Sequence, residues 1–147
     1  KAYTSFKKLS TEFPESAEIW YYKAECGNYA SGMFGAKVSV DEIIEAYKKA
    51  IELDGENVEY LRSYGSFLIS VNKYDDAEQA YRAAAEVDES ETASLYSEFA
   101  IEYYNNVMAT YSEIMEDPKA RAPYGKKALQ YLLMAIDMTP EEAKELL

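Results

Sequence analysis

Residues 61–89 read LRSYGSFLISVNKYDDAEQAYRAAAEVDE, and the fold is decided in this stretch. Large apolar side chains recur at Leu61, Tyr64 and Leu68, the spacing of one helix face. Asn72-Lys73 makes a short turn, and a second helical run carries Tyr74, Ala77, Tyr81 and Ala84. Gly65, Ala77 and Ala84 are small where two helices need to touch closely. Such a helix-turn-helix unit cannot bury its apolar face alone, so it predicts neighbours, a stack and a binding role.

The composition agrees. The chain has 147 residues, one domain's length, with 48% hydrophobic and 29% charged residues, as in a folded globular protein. The four prolines and six glycines fall almost entirely between apolar-periodic stretches, and no useful strand-like alternation occurs, so the fold class is all-α. A net charge of −12 disfavours nucleic acid and anionic membrane surfaces and weakly favours a neutral or basic partner. No apolar run approaches a membrane span, and nothing reads as a signal peptide. Histidine is absent, which removes the commonest general base and metal ligand. The one cysteine, Cys26, excludes an intrachain disulfide and reads as a small packed residue. The chain opens at Lys1 inside a helical pattern, as a processed or excised fragment does.

Working outward from the central unit, Ala50 and Gly55 stand 34 residues before Ala84 and Glu89. Val58–Glu91 is one 34-residue unit that resembles a tetratricopeptide repeat. Leu61, Tyr64, Gly65 and Leu68 take the fourth, seventh, eighth and eleventh positions of that pattern. Ala77 and Ala84 take the twentieth and twenty-seventh, and Glu89 replaces the usual terminal Pro. The preceding unit, 17–55, carries Trp20 and Ala24 at the fourth and eighth positions and 7 extra residues around Ser31–Ser39. These fit as one added turn on each helix or as a Gly-containing loop. The following unit, 93–140, carries Tyr96, Phe99, Ala100 and Tyr103, then Ala128, Leu132, Ala135 and Pro140, with 16 extra residues. Its periodicity through Val107, Met108, Tyr111, Ile114 and Met115 predicts one long helix over 92–116. Asp117-Pro118 then caps a second helix that Pro123 and Gly125 should kink or restart. Residues 1–14 read as part of an earlier unit and 141–147 as the start of a following or capping helix. The resemblance covers nearly the whole chain as about three and a half repeats and implies a right-handed α-solenoid of antiparallel helix pairs.

The resemblance also implies a concave groove lined by the first helix of each repeat. The residues it places there are Tyr21, Tyr22, Glu25, Tyr29, Arg62, Ser66, Ile69, Glu98, Ile101 and Tyr104. This mixture of tyrosines, hydroxyls and carboxylates suits a peptide segment that is neutral or basic. The chaperone-binding subtype of the family grips a C-terminal carboxylate with cations. Here the matching positions hold Tyr21, Glu25, Ser63, Ser94 and Glu98, so that subtype is rejected.

Acidic pairs such as Asp75/Asp76 and Glu141/Glu142 read as solvated helix starts, where carboxylates favour the dipole. No EF-hand spacing, phosphate loop or convergent catalytic set occurs, so neither metal, cofactor nor enzymatic activity is expected. Met33, Phe34, Met108, Tyr111 and Met115 lie in the two insertions, either as core or as a patch for self-association. The expected function is a non-catalytic interaction scaffold in the cytoplasm. Its rivals are a spacer within a larger array and an envelope-assembly module of the periplasm, the latter from Tyr3, Phe6 and Phe13-Pro14-Glu15-Ser16.

Overall fold

The computed structural model describes residues 1–34 and 37–147, with the side chains of Met33 and Phe34 outside the described set. The described residues are all-α, without a strand. The helices are α1 (Ala2–Glu12), α2 (Ala17–Phe34), α3 (Val40–Leu53), α4 (Val58–Ser70), α5 (Tyr74–Val87), α6 (Thr92–Thr110), α7 (Ser112–Glu116), α8 (Pro118–Ala135) and α9 (Pro140–Leu146). A single 3₁₀ turn at Glu89–Glu91 leads into α6. The chain forms two compact units, Lys1–Tyr64 and Gly65–Leu147, whose boundary falls inside α4.

In the first unit α2 packs against both α1 and α3. Gly27 makes this possible: a Cβ there would lie 3.1 Å from Ile43 Cγ1 and 3.2 Å from the Tyr3 ring. Ala24, Ile43, Ala46, Tyr47 and Ala50 form the buried seam. Ser39 caps α3 by accepting the Glu42 N–H at 3.1 Å. The Trp20 indole N–H donates to the Pro14 carbonyl at 2.9 Å and ties the α1–α2 turn to the helix after it.

In the second unit α6 packs against α5 and α8. Gly65 is indispensable, because a Cβ would stand 2.7 Å from the Tyr81 ring, closer than real contacts allow. Ala77, Tyr81 and Ala84 of α5 are fully buried, as the small-residue pattern requires. Phe99 is the aromatic hub, with ring centroids 5.5 Å from Tyr81, 5.4 Å from Tyr103 and 4.6 Å from Tyr131. Asn72 ends α4 in the left-handed region at φ 64°. Its N–H bonds the Ile69 carbonyl and the Lys73 N–H bonds that of Leu68, the Schellman arrangement. Asp137, at φ 80°, closes α8 in the same way through the Met134 and Leu133 carbonyls.

Three local expectations change. The helix expected over 92–116 breaks at Tyr111, which adopts φ −120° and ψ 82°. The Thr110-Tyr111-Ser112 run favours the helix weakly, and its hydroxyls compete for local hydrogen bonds. The 7-residue insertion lengthens only one helix: α2 has 18 residues against 13 in α4, while α3 and α5 both have 14. α8 runs unbroken through Pro123 and Gly125. Pro123 lies in the second turn on the exposed side, where water can satisfy the Lys119 carbonyl that loses its partner. The capping expected at Asp117-Pro118 is present, with the Asp117 carboxylate accepting the Lys119 N–H at 2.9 Å.

Candidate functional site

In α2 the positions Glu18, Tyr22, Glu25 and Tyr29 fall at intervals of four, three and four residues, which aligns them along one side of the helix. Tyr22 is 43% exposed and Tyr29 58% exposed. The Tyr22 ring keeps its inner edge against Phe6 and Tyr21, at 5.8 and 5.4 Å. Tyr21, by contrast, is turned inward. Its ring stacks on Tyr60 at 4.5 Å and its hydroxyl lies 3.0 Å from the Ser63 hydroxyl. Burial pushes the Tyr21 hydroxyl above its usual pKa. Tyr21 is therefore a packing residue first, and its neighbour Tyr22 carries the exposed ring.

Glu25 is held rather than free. It accepts a 2.5 Å hydrogen bond from Tyr47, a fully buried tyrosine. Burial, then this bond to a carboxylate, raises the Tyr47 pKa far above the normal phenol value. Glu25 and Tyr29 also border an open cleft of about 720 Å³, whose lining includes Tyr3, Lys7, Cys26 and Lys37. Tyr3 donates to Glu42 at 2.9 Å there, and burial together with this bond pushes its pKa up to about 12. Cys26 is half-buried, and burial raises its thiol pKa, so it stays in the protonated, weakly nucleophilic form. Arg62 pairs with Glu59 at 2.9 Å.

The second unit presents less. Ser66 donates to Glu102 at 2.9 Å. Ile69 is only 2% exposed, which corrects its placement as a contact residue: α4 turns it into the core beside Leu68. Glu98 and Tyr104 are half-buried, and the Tyr104 ring lies 3.9 Å from where a Gly125 Cβ would stand. Ile101, 56% exposed, is the outward apolar side chain of this row. Of the insertion hydrophobics, Met108 and Tyr111 are half-buried and Met115 is exposed, while Met33 and Phe34 lie outside the described side chains.

One constellation has no counterpart in the sequence reading. Glu78 of α5 accepts from Lys127 Nζ at 2.9 Å and from the buried hydroxyl of Tyr131, both on α8. Arg82 Nε donates to the same Tyr131 oxygen at 2.6 Å. Burial alone would raise the Glu78 pKa. The hydrogen bonds from Tyr131 and Lys127, with the Lys127 and Arg82 charges, outweigh it and hold the carboxyl below its usual range. Two i,i+4 pairs, Glu78/Arg82 and Lys127/Tyr131, are the only sequence trace of this clasp. All its groups are satisfied by one another, which makes it a fastening between helices rather than a reactive set.

Among the described residues no group of three or more Cys, Asp or Glu side chains could hold a metal ion. No described helix is long and apolar enough to cross a membrane. No known protein-family model matches the chain, and no curated protein matches it.

Proposed function

We propose that the chain is a tetratricopeptide-like interaction module, a right-handed α-solenoid of helix pairs, that binds a peptide segment of a partner protein without catalysis. The observation that carries this reading is the exposed row Tyr22–Tyr29 on α2, with Glu18 and Glu25 interleaved. Two tyrosines seven residues apart stand about 10 Å apart along the helix, the span of a short extended peptide. Their rings supply apolar area at little entropic cost. The interleaved carboxylates favour a segment that carries Lys or Arg and repel a free C-terminus. Arg62, of the same unit, is a secondary contact in this proposal. Tyr21 acts by positioning Tyr22.

Selection of displayed random peptides on the immobilised chain tests the reading. Enriched sequences should combine a basic residue with an apolar one, and a Tyr22→Ala/Tyr29→Ala chain should lose the enrichment. Identical enrichment on both chains, or selection of acidic C-terminal sequences, would overturn it.

A further inference from the structure

Helix α8 carries apolar side chains on more than one side. Its inner face is committed: Ala128, Tyr131 and Met134 are buried against the unit's core. The opposite face of a helix in this position is ordinarily polar. Here Ala122 and Leu129 of α8, with Ile136 at its C-cap, form an outward line at seven-residue intervals, flanked by Leu132. Leu129 is 49% exposed, Leu132 37% and Ile136 70%. A helix that is apolar on both faces is one that is covered on both faces, and a seven-residue repeat is the period at which a second helix packs along the first. The line spans about 21 Å, four turns.

The charge around the line identifies what covers it. In a chain of net charge −12, α8 contains Lys119, Arg121, Lys126 and Lys127 and not one carboxylate. Lys119 and Lys126 are exposed on the rim of the apolar line and form no ion pair among the described residues. The short helix α9 seats Ala143 fully buried against its neighbours, packs on α8, and bears Glu141, Glu142 and Glu145.

We infer that the outer face of α8 docks an acidic amphipathic helix of a partner protein, with leucine-like side chains on the Leu129–Ile136 line and carboxylates against Lys119 and Lys126. This surface is separate from the α2 row, and its occupant has the opposite charge.

The probe is a labelled synthetic helical peptide with a seven-residue leucine repeat and glutamates beside it, compared with the same peptide carrying lysines instead. Fluorescence anisotropy with the full chain should show the lysine peptide binding about tenfold more weakly or worse. Leu129→Glu/Ile136→Glu should abolish binding with an unchanged thermal midpoint. Lys119→Glu/Lys126→Glu should reverse the charge preference, and Tyr22→Ala/Tyr29→Ala should bind the acidic peptide as the unaltered chain does. Equal binding of both peptides, binding of neither, or undiminished binding by Leu129→Glu/Ile136→Glu would overturn the proposal. So would a dimer in light scattering that Leu129→Glu/Ile136→Glu dissociates, since the face would then belong to a second copy of the chain.

Discussion

Helices α5 and α8 belong to the same unit and face the same core, yet they finish their outer surfaces in opposite ways. α5 turns Ala77, Tyr81 and Ala84 inward and Asp75, Asp76, Gln79 and Glu86 outward. α8 turns Tyr131 inward and leucines outward. The first helix is complete as it stands, and the second has apolar area left over. Sequence periodicity shows which residues are apolar, but only the packed unit shows that one apolar line is used and the other is spare. The two helices are joined by the Glu78–Arg82–Lys127–Tyr131 clasp, so the helix with the spare face is fastened to its complete neighbour by polar contacts.

Removing the Tyr131 ring breaks the comparison most severely. Tyr131→Ala deletes a fully buried ring that touches Phe99 and Tyr96 and leaves Glu78 and Arg82 without their shared partner. The expected loss is about 3–5 kcal/mol, read from chemical denaturation. A loss below 1 kcal/mol would mean that α8 is not held by its inner face.

A smaller effect is expected on α5. Ala77 is fully buried, in the helix whose Ala80 and Tyr81 pack against Gly65. Ala77→Leu should overpack that contact and cost about 1–3 kcal/mol in thermal or urea unfolding. An unchanged midpoint would contradict the close approach of α4 and α5.

The clasp sharpens the comparison through pH. Glu78→Gln keeps the size but removes the charge that Lys127 and Arg82 face, at an expected cost of about 1.5 kcal/mol at neutral pH. Because the folded pKa of Glu78 lies below its ordinary 4.5, its contribution is complete above about pH 4.5 and is lost as pH falls through the folded value. The difference between Glu78→Gln and the unaltered chain should therefore shrink in acid. At the other end, Tyr3, Tyr47, Tyr103 and Tyr131 have pKa values raised by burial. Their contribution is present below pH 10 and is lost as pH rises beyond it. A flat stability profile above pH 10 would contradict their burial.

The parts of this arrangement legible in the sequence are those with local causes. The α4–α5 hairpin follows from Gly65, Ala77 and Asn72, and the start of α8 from Asp117-Pro118. Tyr22 and Tyr29, which the resemblance assigns to a groove row, are exposed. The rest depends on which distant surfaces meet. The clasp joins residues 49 and 53 positions apart, and Tyr21 is taken up by Tyr60 and Ser63. Ile69 occupies a groove position by repeat register, yet α4 turns it into the core. Pro123 misled because the cost of a proline depends on whether water reaches the carbonyl it orphans.

The smallest stability effect discriminates most sharply between the two helices. If Leu129 on the outside of α8 and Ile136 at its C-cap are uncovered within the chain, Leu129→Gln and Ile136→Gln should each change stability by less than about 0.5 kcal/mol, the range of ordinary surface substitutions. A leucine buried in the core, such as Leu68 or Leu95, should lose about 2–5 kcal/mol on truncation to Ala. Near-zero values at 129 and 136 would therefore separate two uses of branched aliphatic side chains: those that hold the unit together and those that are exposed to whatever approaches. A cost of 2 kcal/mol or more at either position would mean that the chain covers this face itself, and α8 would then be as complete as α5.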